Sequence, residues 1–274
     1  MNLESKMKDF RRIDKSKYPE LAGYSDKQIY EDMIGCGGLF LASEMLRQMN
    51  IKKGDIVLDL GCGLGTTSIF LAKKFDITVV AVDFWNSPHS LAIKASKEGL
   101  ANKIIPIQLD ITQVMPFAES YFDHIFCLNS LFMFGDNLEF LRKLLKTLKI
   151  GGSFCLGSEC FNEEPNYKNL SDVLEVYNFE YEWSIWEGCL SKYHSPEWWK
   201  SLLIQTDILD VTYCQELEDG RILWEDSALN YYDYYGNILS SKAMIPQERL
   251  VDTILYGKEN SPHTTLYILA GIRK

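Results

Sequence analysis

This chain of 274 residues has no apolar run approaching the roughly 20 residues that a membrane-spanning helix needs, so no membrane partner is expected. Its first residues, Met1 to Lys17, are charged rather than apolar and do not read as a secretory leader. Lysine and arginine are in deficit, 28 against 38 acids, for a formal net charge of −10. A broad nucleic-acid surface needs clustered cations, so no nucleic-acid partner is expected either. The seven cysteines (Cys36, Cys62, Cys127, Cys155, Cys160, Cys189 and Cys214) form no C-x-x-C pair, and their number is odd. That spacing argues against zinc, and no C-x-x-x-C-x-x-C cluster offers an iron–sulfur centre; no metal is expected. Free thiols in a reducing cytoplasm fit this pattern. Internal repeats and low-complexity linkers are lacking as well.

What is present is one organising stretch, Asp55 to Asp83. Ile56, Val57, Leu58 and Leu60 make a short apolar run suited to a strand buried on both faces. Gly61, Gly63 and Gly65 permit positive φ and close approach of backbone to a ligand. A helix over Thr66 to Lys74 follows, then a buried strand over Val79 to Val82 that ends in Asp83. Ligands of open α/β sheets bind at such carboxyl ends. A dinucleotide fingerprint reads G-x-G-x-x-G and seats a diphosphate on the helix N-terminus. Here the glycines alternate, and Asp59 lies two residues before the first. A carboxylate there repels a diphosphate and suits a ligand with an ammonium group and a positive sulfur. Asp83, 24 residues further on, suits a ribose diol at the neighbouring strand. A nucleoside joined to a cation, as in S-adenosylmethionine, satisfies both acids.

Asp59-x-Gly61-x-Gly63-x-Gly65 with Asp83 resembles the signature of class I S-adenosylmethionine-dependent methyltransferases, of the small-molecule type. The likeness continues through Leu109-Asp110-Ile111, Pro116-Phe117, Phe122-Asp123 and Gly151-Gly152, strongly over residues 37 to 157 and weakly at the end of the chain. It implies cofactor contacts from Asp59, Gly61, Cys62, Gly63, Gly65, Thr66 and Asp83. Phe84 and Trp85 would lie at the adenine, stacking on it or closing the sheet against a helix. Asp110 would accept from the adenine amino group or cap the chain after its strand, with the backbone of Ile111 serving the ring. Asn129 would sit beside the methyl group. Its continuation Ser130-Leu131-Phe132 departs from the Asn-Pro-Pro-Tyr type motif of enzymes that methylate base amines. Gly37-Gly38 either lies across the cofactor or breaks a helix. Phosphobase enzymes of this fold carry a histidine just past strand four, where Leu131-Phe132-Met133-Phe134 offers none.

The expected fold is α/β: a Rossmann-like, seven-stranded, mostly parallel sheet with helices on both faces, the last strand antiparallel, and a lid insertion after strand five. Residues 1–36 read as an N-terminal arm and entry helix, 37–157 as the cofactor-binding core, 158–194 as the lid, and 195–274 as the rest of the core. Residues 217–244, rich in tyrosine, are a candidate second piece of the lid. Acids and aromatic rings of the lid, among them Glu175, Tyr177, Trp183 and Trp186, either hold an amine or cation, or form an amphipathic cap. His194, before the helix start Ser195-Pro196, is a candidate general base or a turn residue, and Tyr30 is a weaker catalytic candidate. His124 reads as a surface residue. Ser25-Asp26 and Ser87-Pro88 read as helix starts, and Trp198 as packing inward after Ser195-Pro196. A helix over Asp136 to Lys149 is read as ended by Gly151-Gly152, with Ser153 to Gly157 as the fifth strand. The reaction expected is direct displacement at the methyl carbon by a small-molecule acceptor. A cofactor-binding regulatory protein without chemistry, or an enzyme acting on protein side chains, are the alternatives. The acceptor atom and the oligomeric state are not legible.

Overall fold

Seven strands form one sheet in the order β3-β2-β1-β4-β5-β7-β6. The computed structural model describes residues 2–33, 35–164, 194–230, 251–252, 254–255 and 264–274. Strand β1 (Ile56–Leu60) pairs in parallel with β2 (Thr78–Asp83) on one side and β4 (Phe122–Leu128) on the other. β2 pairs with β3 (Ile104–Gln108), and β4 with β5 (Leu148–Phe161). β6 (Leu209–Glu216) and the antiparallel β7 (Thr264–Arg273) complete the sheet. Chain order reverses between β1 and β4, which makes their carboxyl ends a topological switch point.

The local causes are those the sequence suggests. Val57, Leu58 and Leu60, with Val79, Ala81 and Val82, are fully buried, because a parallel sheet with helices around it hides both faces of its central strands. Helix α4 (Thr66–Phe75) follows the glycine turn, and α5 (Pro88–Lys97) starts on a Ser87 cap with proline at its first position. Between β4 and β5, α6 (Leu131–Phe134) is a single turn, and α7 (Leu138–Lys146) is capped by Asn137 and buries Leu141, Leu144 and Leu145. Among the described residues three α-helices precede the sheet: α1 (Leu3–Met7), α2 (Asp26–Tyr30), with a Ser25–Gln28 capping box, and α3 (Gly38–Leu46). Helices α8 (Pro196–Ile204) and α9 (Gly220–Leu229) flank β6 in sequence.

The described chain divides into two compact units, one built from 42–158, 200–214 and 268–274, the other from 1–41, 159–199 and 215–267. The first holds the glycine turn and is called the core unit below. Most of the expected lid, with its acids and aromatic rings, lies outside the described residues, as does 231–244 of its second piece. Within 217–230 the chain forms α9.

Four expectations are corrected. β5 begins at Leu148, directly after the α7 C-cap Thr147, and not at Ser153. The pair Gly151-Gly152 does not stop the helix; it lies in an irregular stretch of the β4–β5 ladder, where a Cβ on Gly152 would meet the Asp123 carbonyl at 2.7 Å. β5 also runs to Phe161, so residues 158–161 belong to the sheet and not to the insertion. Trp199, not Trp198, is the buried tryptophan of α8.

His124 is no surface residue. It is buried at the amino end of β4, with Nδ1 2.7 Å from Ser153 Oγ and Nε2 3.0 Å from Asp55 Oδ2. The three side chains stitch the amino ends of β1 and β4 to Ser153 of β5 beside a cavity of about 500 Å³. Replacing His124 with Ala leaves the buried Ser153 hydroxyl and the half-buried Asp55 carboxylate without their shared partner. The urea midpoint should fall by an equivalent of about 2–3 kcal/mol. An unchanged midpoint would mean that the bridge carries no stability.

Candidate functional site

The core unit gathers the acids and the glycines at the carboxyl ends of β1, β2 and β4. Asp59 is the fourth residue of β1 and only 1% exposed. Its Oδ2 accepts from Thr67 Oγ1 at 2.8 Å and from Ser68 Oγ at 2.5 Å, both in the first turn of α4. Burial is the largest influence on its carboxyl and pushes it up to about 6; the Ser68 and Thr67 hydroxyls oppose this, and the charge of Asp83 adds to it. Two carboxylates therefore face one field, and a positive ligand group is what relieves it.

The turn between them is held from the side. Gly61 has φ +73° and donates its N–H to the Val82 carbonyl at 2.8 Å; a Cβ there would lie 2.4 Å from Ser130 Cβ. Gly63, at φ +56°, differs: nothing stands within 4 Å of where a Cβ would be, so the space above the turn is open. Gly65 precedes Thr66 at the start of α4, which no side chain caps. The Cys62 thiol is buried and pushed far above its usual range by burial, so it is no nucleophile and offers only backbone.

Asp83 ties this turn to β2. Its Oδ2 accepts the Gly63 N–H at 3.0 Å, and its Oδ1 accepts from Trp85 N–H, Asn86 N–H and Asn86 Nδ2 at 2.8 to 2.9 Å. Oδ1 accepts three donors and Oδ2 one, so Oδ2 is the oxygen with acceptor capacity for a ligand hydroxyl. Past it, Phe84 and Trp85 are 51% and 44% exposed, edge to face at 6.1 Å, while Gln108 Nε2 donates to both of their carbonyls. Large rings left in water beside a carboxylate acceptor suit a nucleoside. The aromatic pair does not close the sheet. Asp110 makes a turn, with Oδ1 accepting from Thr112 N–H and Oγ1; Ile111 is buried. Asn129 adopts a left-handed φ of +50° at the end of β4 and donates its N–H to the Gly157 carbonyl at 2.8 Å.

Gly37, Gly38, Tyr30 and His194 belong to the other unit. Gly37 donates its N–H to Ser227 Oγ at 3.0 Å, and a Cβ on Gly38 would meet Tyr30 Cδ1 at 2.6 Å. Tyr30 is fully buried and its hydroxyl donates to Asp226. Burial first, and the Asp226 charge second, hold the phenol well above its usual range, so it keeps its proton and does not serve as a base at neutral pH. Burial also raises Asp226, although Tyr30 and Arg12 oppose the shift. Glu225, wholly buried, pairs with Arg11 at 2.8 Å. His194 lies with Nδ1 2.6 Å from Glu164 Oε1 and its ring stacked on Trp198 at 3.5 Å. Glu164 also accepts from Ser195 N–H and Oγ, so one carboxylate both orients the imidazole and braces the start of α8.

Sequence reasoning missed Thr67, Ser68, Asn86 and Ser130. The first two had a signal, hydroxyls in the first turn of a helix that follows a strand acid. Asn86 had one as well, three residues after Asp83 and placed to fold back on it. Among the described residues no group of three or more His, Cys, Asp or Glu could hold a metal, and no helix is long and apolar enough to cross a membrane.

Comparison with known proteins places this geometry in context. A sequence-family model described as a methyltransferase domain matches residues 57–152. Phosphoethanolamine N-methyltransferase 1 of Arabidopsis thaliana is 27% identical over 150 residues, 55% of this chain and 30% of that protein. Sterol 24-C-methyltransferase erg6 of Aspergillus fumigatus is 31% identical over 138 residues, 48% of this chain and 36% of that protein. The chain thus matches about a third of the length of these curated relatives. Among solved structures, phosphoethanolamine N-methyltransferase 2 of Haemonchus contortus, with phosphomonomethylethanolamine and S-adenosylhomocysteine bound, has the same fold. Its TM-score is 0.67 at 16% identity, over 94% of this chain and 58% of that one.

The raised Asp59 carboxyl has a consequence for stability. Its folded value exceeds its unfolded one, so the folded state loses stability as pH climbs from about 4 to about 6 and does not regain it above. Asp59→Asn keeps an acceptor for the two hydroxyls and removes the charge. By thermal unfolding, the variant should be the more stable protein at pH 8, by something on the order of 2–3 kcal/mol, with the gap closing toward pH 4. A variant less stable than wild type at pH 8 would contradict this reading.

Proposed function

We propose that this chain, which carries a methyltransferase domain over residues 57–152, methylates a small-molecule acceptor with S-adenosylmethionine by direct in-line displacement. The observation that carries the reading is the acid pair around an open glycine turn. Asp59 supplies a buried negative field at the end of β1, and Asp83 Oδ2 keeps one acceptor site at the end of β2. That set suits a sulfonium at one end and a ribose hydroxyl at the other, and does not suit a diphosphate. The residues fit the cofactor: open space over Gly63, exposed rings at Phe84 and Trp85, and the uncapped start of α4 are compatible with its size and polarity.

S-adenosylmethionine supplies, when bound, a methyl group on a positive sulfur that departs as a neutral thioether. The protein's work is then alignment and exclusion of water. Asp83 and the turn fix the nucleoside end, Asp59 favours the charged sulfur, and Asn129 at the end of β4 borders the methyl group. Gly37 and Gly38, as the entry segment, are proposed to cover the cofactor. Where an acceptor must lose a proton, His194 is the described side chain best prepared to take it, since Glu164 orients its ring through Nδ1 and leaves Nε2 for exchange. We place the protein in the cytoplasm, in keeping with six described cysteines that are all free thiols. Amines, carboxylic acids and phenols remain the acceptor classes to test.

Purified protein, methyl-labelled S-adenosylmethionine and a panel of those three classes give the test. Label should pass to at least one small acceptor, and Asp83→Ala should weaken cofactor binding by about tenfold or more. Tight binding without transfer would instead describe a regulatory binding protein. Transfer only to polypeptide would describe a side-chain methyltransferase.

A further inference from the structure

Ser130 follows Asn129 at the carboxyl end of β4 and is 7% exposed. Its hydroxyl donates to the carbonyl of Leu60, seventy residues earlier in the chain, at 2.6 Å, and lies 3.1 Å from Cys127 Sγ. The carbonyl of Leu60 and the N–H of Gly61 belong to a single peptide plane, the one that opens the glycine turn. Val82 on β2 accepts that N–H at 2.8 Å. One peptide is therefore gripped from both neighbouring strands, by backbone on one side and by a side chain on the other. The grip is close: a Cβ on Gly61 would stand 2.4 Å from Ser130 Cβ and 2.5 Å from its Oγ.

We propose that Ser130 is a positioning residue for the cofactor turn. By holding the Leu60–Gly61 peptide it fixes the start of the turn, and with it the Gly63 N–H that meets Asp83 Oδ2 three residues later. It touches neither cofactor nor acceptor in this role. The turn carries glycines with positive φ at 61, 63 and 65, so few side chains of its own hold it in place. A backbone so permissive needs an outside anchor to keep one conformation. The polar bond does this across the switch point, where β1 and β4 diverge in connectivity. This inference rests on the reading of the turn as the S-adenosylmethionine site.

The test compares two buried hydroxyls of the core unit. Ser130→Ala removes the anchor at the carboxyl end, and Ser153→Ala removes the partner of His124 at the amino end. Calorimetry with S-adenosylhomocysteine, set beside urea unfolding, separates affinity from stability. Expected are a loss of affinity of roughly five- to tenfold in S130A and none in S153A, although both lose stability. Should S130A fail to fold, S130C, of similar size with a weaker donor, should show a smaller loss in the same direction. Wild-type affinity in S130A, or equal losses in both variants, would overturn the positioning role and leave the function intact. If the wild-type protein binds neither S-adenosylhomocysteine nor S-adenosylmethionine, both readings fall together.

Discussion

Keeping a carboxylate ionised inside a parallel sheet is the constraint on which the site depends. Asp59 has almost no contact with water, and what opposes its neutralisation is local: two hydroxyls from the first turn of α4. Those bonds require α4 to begin where it does, directly behind the glycine turn. The turn in turn requires positive φ, an anchor on its first peptide from Ser130, and the Asp83 clasp on Gly63. Removing either hydroxyl leaves a buried charge with fewer partners, which is costlier than losing the bond alone. The acids are thus structural liabilities that the proposed cationic ligand would convert into binding energy.

The second unit meets a similar problem by different means. Helix α9 buries Glu225 and Asp226 side by side, and the N-terminal arm brings Arg11 and Arg12 to them, with Tyr30 donating to Asp226. The arm's guanidinium groups are half exposed while their partners are enclosed, so the pairs are stronger than ordinary surface pairs but remain open to screening on one side. Residues 1–36, which sequence reading treated as a loose arm and entry helix, are in their described part tied into this unit by charge. That ties the arm's order to the ionisation of α9.

The sequence was most legible where cause and effect are close along the chain. From Ile56 to Asp83 the pattern of apolar run, alternating glycines, helix and second apolar run specifies strand, turn and helix within a few residues. Ser25, Ser87 and Pro88 marked helix starts for the same reason. Legibility failed where partners are far apart. Nothing near His124 announces Asp55 or Ser153, 69 and 29 residues away, and nothing near Ser130 announces Leu60. Tyr30 read as a weak catalytic candidate because its partner Asp226 lies 196 residues on. Gly151-Gly152 misled because a glycine pair ends helices and kinks strands equally well, and only the ladder with β4 decides between them. In the reaction proposed, the acceptor would leave no comparable trace, since a displacement driven by the cofactor needs no fixed set of side chains.

The most direct measurement is calorimetric titration of the wild-type protein with S-adenosylmethionine and S-adenosylhomocysteine between pH 5 and 7.5, in buffers of differing ionisation enthalpy. The account predicts that affinity for the sulfonium rises as Asp59 ionises near pH 6, with protons released on binding, while affinity for the neutral thioether changes little. Equal pH profiles for the two ligands, or tighter binding of a diphosphate dinucleotide such as NAD, would contradict it.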